Sequence, residues 1–300
     1  MLSERQIGIL WVLLAVIGYA FLPIIVRSVY AISDLQPTDI AIWRFIFATP
    51  TIWLVIFLRE RTQETKLHDS PAQILRMMSL GIFMTGAVLS VVVGLQYVPA
   101  SLFIVLFYTY PAMVAIISVV LGQKLHTTAW IALFFTISGV VLTVPDLSLA
   151  GDNTLLGMGI AFLNAAMVAI YFVLIARQMP KTSSISRGAA YVITGTFCLL
   201  LLLLPVFGLR LPADWQTWGL LFALATWCTA MPIFVINLGI QKIGVTQSSI
   251  IATCEPIMTM FLALVILNET ILVIQWVGAA LIIAGVIILE IRPQKQVISA

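Results

Sequence analysis

The sequence predicts an all-α membrane protein of ten transmembrane helices arranged as two inverted five-helix repeats. Three observations predict it: a composition that no soluble fold can hide, ten apolar stretches of membrane-spanning length, and a motif order that recurs in the two halves. Of 300 residues, 62% are hydrophobic and 9% are charged, against about 45–50% apolar and about 25% charged in soluble domains. The net charge of +3 is small, and the basic residues are spread among loops, so a nucleic-acid partner is excluded. The partners expected instead are the lipid bilayer and a small-molecule solute.

A membrane helix needs about 20 mostly apolar residues. On that rule spans one to ten are expected near 7–28, 38–58, 74–97, 100–121, 127–145, 155–176, 188–208, 216–240, 245–267 and 271–291. The first is longer than a signal-peptide core and lacks a small-x-small cleavage site, so it is expected to be retained. Connections are short, and the longest polar one runs from Arg59 to Gln73. Twelve of the fifteen Lys and Arg residues then fall on one side, leaving Arg27, Arg210 and, just inside span two, Arg44. By the positive-inside rule the chain is a multi-pass cell (plasma) membrane protein with both termini cytoplasmic. Cys198, Cys228 and Cys254 lie inside apolar stretches without CxxC or His spacing, which gives no metal site and no cofactor.

The two halves, 7–145 and 155–291, share an ordered set of residues. Gln96 through Tyr110-Pro111 aligns with Gln241 through Glu255-Pro256 at an offset of 145, and one inserted residue then pairs Trp130 with Trp276 and Gly139-Val140 with Gly285-Val286. Five spans is an odd number, so the second half enters the membrane from the opposite side. Inverted repeats are a recurring plan of secondary transporters, with the solute site near the midplane between them.

Trp43-Arg44-Phe45, Tyr108-Thr109-Tyr110-Pro111, Glu255-Pro256 and Leu267-Asn268-Glu269 resemble the EamA-type branch of the drug/metabolite transporter superfamily. The resemblance implies ten helices from two EamA domains and export of amino acids, metabolites or drug-like solutes, without naming one. Where the family often carries an acidic residue after span four, this chain has Gln123-Lys124, while Glu269 stands at the matching place in the second half.

Among the glutamates only Glu255 lies deep in a span, about 16 Å from its start at 1.5 Å per residue. A charge there costs at least about 2.5–3.5 kcal/mol, which calls for a partner, a water-filled cavity or a proton. Arg44, ~9 Å deep from one face against ~14 Å for Glu255, is the natural partner. Two readings follow. In one, Glu255 binds a proton or a solute amine and competes with Arg44; in the other, a fixed ion pair pins span two to span nine. Pro111 and Pro256 interrupt spans four and nine at matching positions, the best sequence pointer to a transport site. Tyr19, Tyr108, Tyr110, Asn164, Tyr171 and Trp227 are candidates to line a solute cavity; for each, packing or lipid contact is the competing reading. Ala161, Ala165 and Ala169 form a small-residue stripe for close packing. Gly139, Gly278 and Gly285 serve either packing within the chain or a homodimer seam.

An enzyme is disfavoured: His68 and His126 fall in loops, and no HExxH, GxSxG or paired acidic motif occurs. The expected function is a secondary transporter exporting a small solute by alternating access with proton coupling. An uncoupled facilitator or lipid scramblase is the alternative.

Overall fold

The computed structural model describes residues 3–60, 69–121, 127–143, 152–178, 185–243, 248 and 251–291. His68, Gln123, Lys124 and His126 lie outside them, and among the described residues every regular element is helical. Seven stretches are long and apolar enough to cross a membrane: Glu4–Ile32, Pro37–Leu58, Pro71–Tyr97, Ala100–Ile117, Asn153–Ile175, Ser186–Phe207 and Trp215–Ile243. Three apolar helices are shorter, Trp130–Leu142, Glu255–Ile266 and Val273–Ile288. The 12-residue Glu255–Ile266 rises only ~18 Å, because it is the second part of a broken segment. The span numbers used above are kept for these helices in order.

Local chemistry sets several of the ends. The Ser3 and Ser70 hydroxyls each accept from the backbone N–H three residues on, and the Ser3 and Ser70 backbone N–H groups donate in return to Gln6 Oε1 and Gln73 Oε1, closing two capping boxes. Asp214 caps span eight, its carboxylate accepting from the Thr217 N–H and hydroxyl, each at 2.8 Å. Those donors hold the Asp214 carboxyl below the usual carboxylate range. Span three is divided at Leu80 into Pro71–Ser79 and Gly81–Tyr97. There it crosses span seven so closely that a methyl on Gly81 would stand 2.5 Å from the Thr196 nitrogen, and one on Gly195 would strike the Met78 backbone.

Helix contacts recur in matched pairs in the two halves. A methyl added at Gly8 in span one would meet Lys242 and Ile243 of span eight, and one at Gly157 in span six would meet Tyr97 and Val98 of span three. Gly139 faces Gly278 and Ile282, while Gly285 faces Ala132 and Thr136. These glycines are therefore spent on packing span five against span ten within one chain, and the seam they were read to offer a second copy is already filled. Ala161, Ala165 and Ala169 are fully buried. Beside them Asn164 donates to the Ala87 carbonyl at 2.6 Å and the Ser90 hydroxyl at 3.0 Å, tying span six to span three.

Pairings across the ends agree with alternating directions along the bundle. Lys242, closing span eight, bonds Glu4 at the start of span one. At the other end Glu269, just after span nine, accepts from the Ala100 N–H at 2.8 Å, the Ser101 N–H at 3.1 Å and the Ser101 hydroxyl at 2.6 Å. A carboxylate over exposed N–H groups stabilises a helix start. Here it fastens span nine to span four.

Candidate solute and proton site

Proline creates the site. Pro111 and Pro256 each occupy the first turn of a new helical segment, Tyr110–Val120 and Glu255–Ile266. The backbone before each break is hydrogen-bonded alike: Thr109 N–H to Leu106 O and Cys254 N–H to Ile251 O, both at 3.1 Å, then Met113 N–H to Thr109 O at 3.1 Å and Met258 N–H to Cys254 O at 3.0 Å. The same turn is thus built twice, 145 residues apart. Proline brings no N–H, so the carbonyl four residues earlier loses its helical donor. For Pro256 that carbonyl belongs to Ala252.

Tyr108, buried on span four, reaches it. Its hydroxyl lies 3.0 Å from Ala252 O and 2.9 Å from Glu255 Oε2. Both distances are those of good hydrogen bonds, but a phenol carries a single proton to donate. Two acceptors share one donor.

Aromatic rings surround this centre. Tyr108 and Tyr110 meet edge to face at 5.9 Å, Tyr110 stacks on Phe172 at 5.5 Å, and Phe172 meets Tyr171 at 5.6 Å. The half-buried Tyr19 of span one has its hydroxyl within electrostatic range of Glu255, Arg44, Tyr171 and Tyr110. Spans one, two, four, six and nine thus each contribute to one cluster.

Arg44 does not pair with Glu255: among the described residues no ion pair of 4 Å or less joins them. Its Nε instead donates to Thr229 Oγ1 at 2.8 Å, and its guanidinium carbon lies 5.6 Å from the Phe45 ring centroid. Thr229 is available because Thr226–Ala230 forms a π-helical turn within span eight. Its hydroxyl donates in turn to Leu224 O, five residues back, at 2.8 Å. The cause lies two residues past the turn, where the Pro232 ring opposes the Cys228 carbonyl and widens the helix. The fixed ion pair between spans two and nine is replaced by a bond between spans two and eight.

The structure thus brings together Glu255, Tyr19, Tyr108, Tyr110 and Tyr171, with Arg44 within electrostatic range of Tyr19. It places Pro111 and Pro256 at the two breaks. Asn164 stands apart, its amide donors engaged by span three, and Trp227 is a 40% exposed residue of the π turn. Thr229, Phe172 and the Ala252 carbonyl were not anticipated. Proline was the available signal for two of them: Pro256 marks the Ala252 carbonyl four residues upstream as unpaired, and Pro232 marks a distortion of span eight at Cys228, next to Thr229.

The EamA-like transporter family model matches residues 6–144 and again 155–291. The chain belongs to the EamA-like transporter family. Among its relatives are the uncharacterized transporter YyaM of Bacillus subtilis, 24% identical with 86% of each chain covered, and the uncharacterized transporter sll1319 of Synechocystis, 26% identical with 96% and 94% covered. A probable transport protein of Saccharomyces cerevisiae, YPL264C, is 23% identical over 68% of this chain and 64% of its own. The fold is similar to that of a crystal structure at a TM-score of 0.65, with 16% identity and 94% and 95% of the two chains covered. This EamA-like protein is a multi-pass membrane transporter, and family and relatives point away from an enzyme.

Proposed function

We propose that this EamA-like transporter exports a small solute from the cell by alternating access, in exchange for protons taken up at Glu255. The reading places ten spans in the plasma membrane, both termini in the cytoplasm, and the two halves as inverted repeats. Matched glycine contacts and the duplicated proline breaks support the repeat. Two equivalent halves supply two equivalent packings, each opening the shared cavity to one side.

The observation that carries the coupling is the single Tyr108 proton between two acceptors. With Glu255 protonated, the carboxyl O–H donates to the Tyr108 oxygen, and the Tyr108 proton is free for Ala252 O. Every group is satisfied. With Glu255 ionised, Tyr108 must donate either to the carboxylate or to the carbonyl, and one acceptor goes short. An unpaired buried acceptor costs about 1–3 kcal/mol, enough to shift a two-state equilibrium by about fivefold or more. Losing the proton therefore loosens span four from the break in span nine, which is where two packings must interconvert. The other titratable or charged groups around Glu255 are Tyr19, Tyr110, Tyr171, Cys254 and, within electrostatic range of Tyr19, Arg44.

Proteoliposomes carrying the purified transporter test this, loaded with a panel of radiolabelled small metabolites and assayed with and without a pH gradient. Accelerated efflux against an inward proton gradient is expected for at least one solute. Flux indifferent to the gradient for every transported solute makes the protein an uncoupled facilitator.

A further inference from the structure

Three arginines depart from the positive-inside pattern, and among the described residues no carboxylate forms an ion pair with the side chain of any of them. Arg44 is 7% exposed and uses only its Nε, on Thr229. Its two Nη groups make no hydrogen bond among the described residues. They are not sealed, because the one enclosed and unpartnered side-chain polar atom among the described residues is Thr49 Oγ1. The Nη groups therefore meet water-sized space inside the bundle. The Tyr19 hydroxyl, within electrostatic range of Arg44, is likewise without a hydrogen bond among the described residues and likewise not enclosed.

The other two line a cavity of about 800 Å³ where spans one and three end, together with Tyr30, Asp34, Gln36 and Gln96. Arg27 spends one Nη on the Leu95 and Val98 carbonyls, each at 3.1 Å, and Arg210 one on the Asp34 carbonyl at 3.0 Å. Their remaining donors are unengaged among the described residues. Tyr19 and Tyr30 lie on the same helix, about 16 Å apart along its axis, and Gln36 of the cavity precedes Arg44 by about 12 Å along span two, so this cavity lies at the end of the bundle nearer Arg44.

A buried guanidinium without an anion is expensive in a membrane. Its free Nη pair presents parallel donors that fit a planar carboxylate. From this we infer that the transported solute carries a carboxylate, bound by the Arg44 Nη groups and the Tyr19 hydroxyl, with Arg27 and Arg210 concentrating it at the mouth. The apolar body of the solute lies against the Tyr108, Tyr110, Tyr171 and Phe172 rings. A single guanidinium matches one negative charge, which favours a carboxylate over a phosphate dianion. The inference rests on reading the cluster of Glu255 and its tyrosines as the transport site.

Thermal unfolding of the detergent-solubilised protein tests it with shape-matched probes: 4-methylpentanoate, leucine and 3-methylbutylamine, with inorganic phosphate as a fourth arm. The two carboxylates are expected to raise Tm in wild type, and the amine is not. Tyr19→Phe, which keeps the ring, is expected to weaken 4-methylpentanoate about tenfold, and Arg44→Gln to abolish its effect. Where Arg44→Gln does not fold, Tyr19→Phe decides. Stabilisation by the amine alone, by phosphate as strongly as by 4-methylpentanoate, or an unchanged response in Tyr19→Phe overturns the inference. No gradient is present here, so failure of proton coupling and failure of carboxylate binding are read separately.

Discussion

Replacing Tyr108 by Phe removes one oxygen and leaves the ring, so its consequences follow from two distances. The Ala252 carbonyl at 3.0 Å and Glu255 Oε2 at 2.9 Å both lose the same donor. Glu255 is half-buried, whereas the Ala252 carbonyl was freed from its helix by Pro256. Side-chain hydrogen bonds inside membrane proteins average about 0.6 kcal/mol and reach about 1.7, and the orphaned carbonyl places this one in the upper half. Because a kcal/mol moves Tm by about 2–4 °C in chains of 150–250 residues, the loss read by thermal unfolding in detergent is roughly 2–4 °C. In Glu255→Gln the amide N–H takes over the role of the carboxyl proton, so the network stays complete and no such loss is expected. The double variant is expected to be non-additive by about 0.5 kcal/mol or more. The sign with pH follows: protonation completes the network, so wild-type stability falls as pH rises through the titration of Glu255, and Glu255→Gln is flat across that range. Additive effects, or a wild type and Tyr108→Phe that unfold alike at every pH, refute the shared-proton reasoning.

Three further outcomes are expected. Gly139→Ala places a methyl 2.6 Å from Gly278 O and 2.7 Å from Ile282; overpacking of about 1–3 kcal/mol exceeds the helix-propensity gain of about 0.5–1 and lowers Tm. Gly219→Ala, with open space around it, keeps that gain, so the two substitutions are expected to move Tm in opposite directions. Thr229→Val strips the bond to Arg44 Nε and is expected to cost about 1–3 kcal/mol, with Thr229→Ser restoring most of it. Glu269→Gln replaces a carboxylate that accepts three bonds at the start of span four and is expected to cost about 0.5–2 kcal/mol, seen as faster amide exchange at Ala100 and Ser101.

Much of the fold was legible because lipid enforces simple rules. Apolar runs of membrane length marked Glu4–Ile32 and Pro37–Glu60 within a few residues, and the offset of 145 that pairs Pro111 with Pro256 reappears in the backbone bonds of both breaks. Span count was less direct, since a proline break turns one apolar run into helices each too short to cross. The cluster of Glu255 with four tyrosines was legible as a list of polar groups placed deep in spans. Its wiring was not. Charge alone paired Arg44 with Glu255, but rotation of each helix about its axis decides who meets whom, and hydropathy does not encode it. A π turn driven by Pro232 put Thr229 in front of Arg44 instead. Asn164 fell to packing for the same reason, facing span three rather than the cavity.

The central claim is that Glu255 couples solute flux to protons, and flux measured in proteoliposomes as a function of the pH gradient tests it most directly. Wild type is expected to accelerate with an inward proton gradient, while Glu255→Gln, folded and equally reconstituted, gives flux that ignores the gradient. A variant that transports normally and keeps the wild-type response to the gradient contradicts the account.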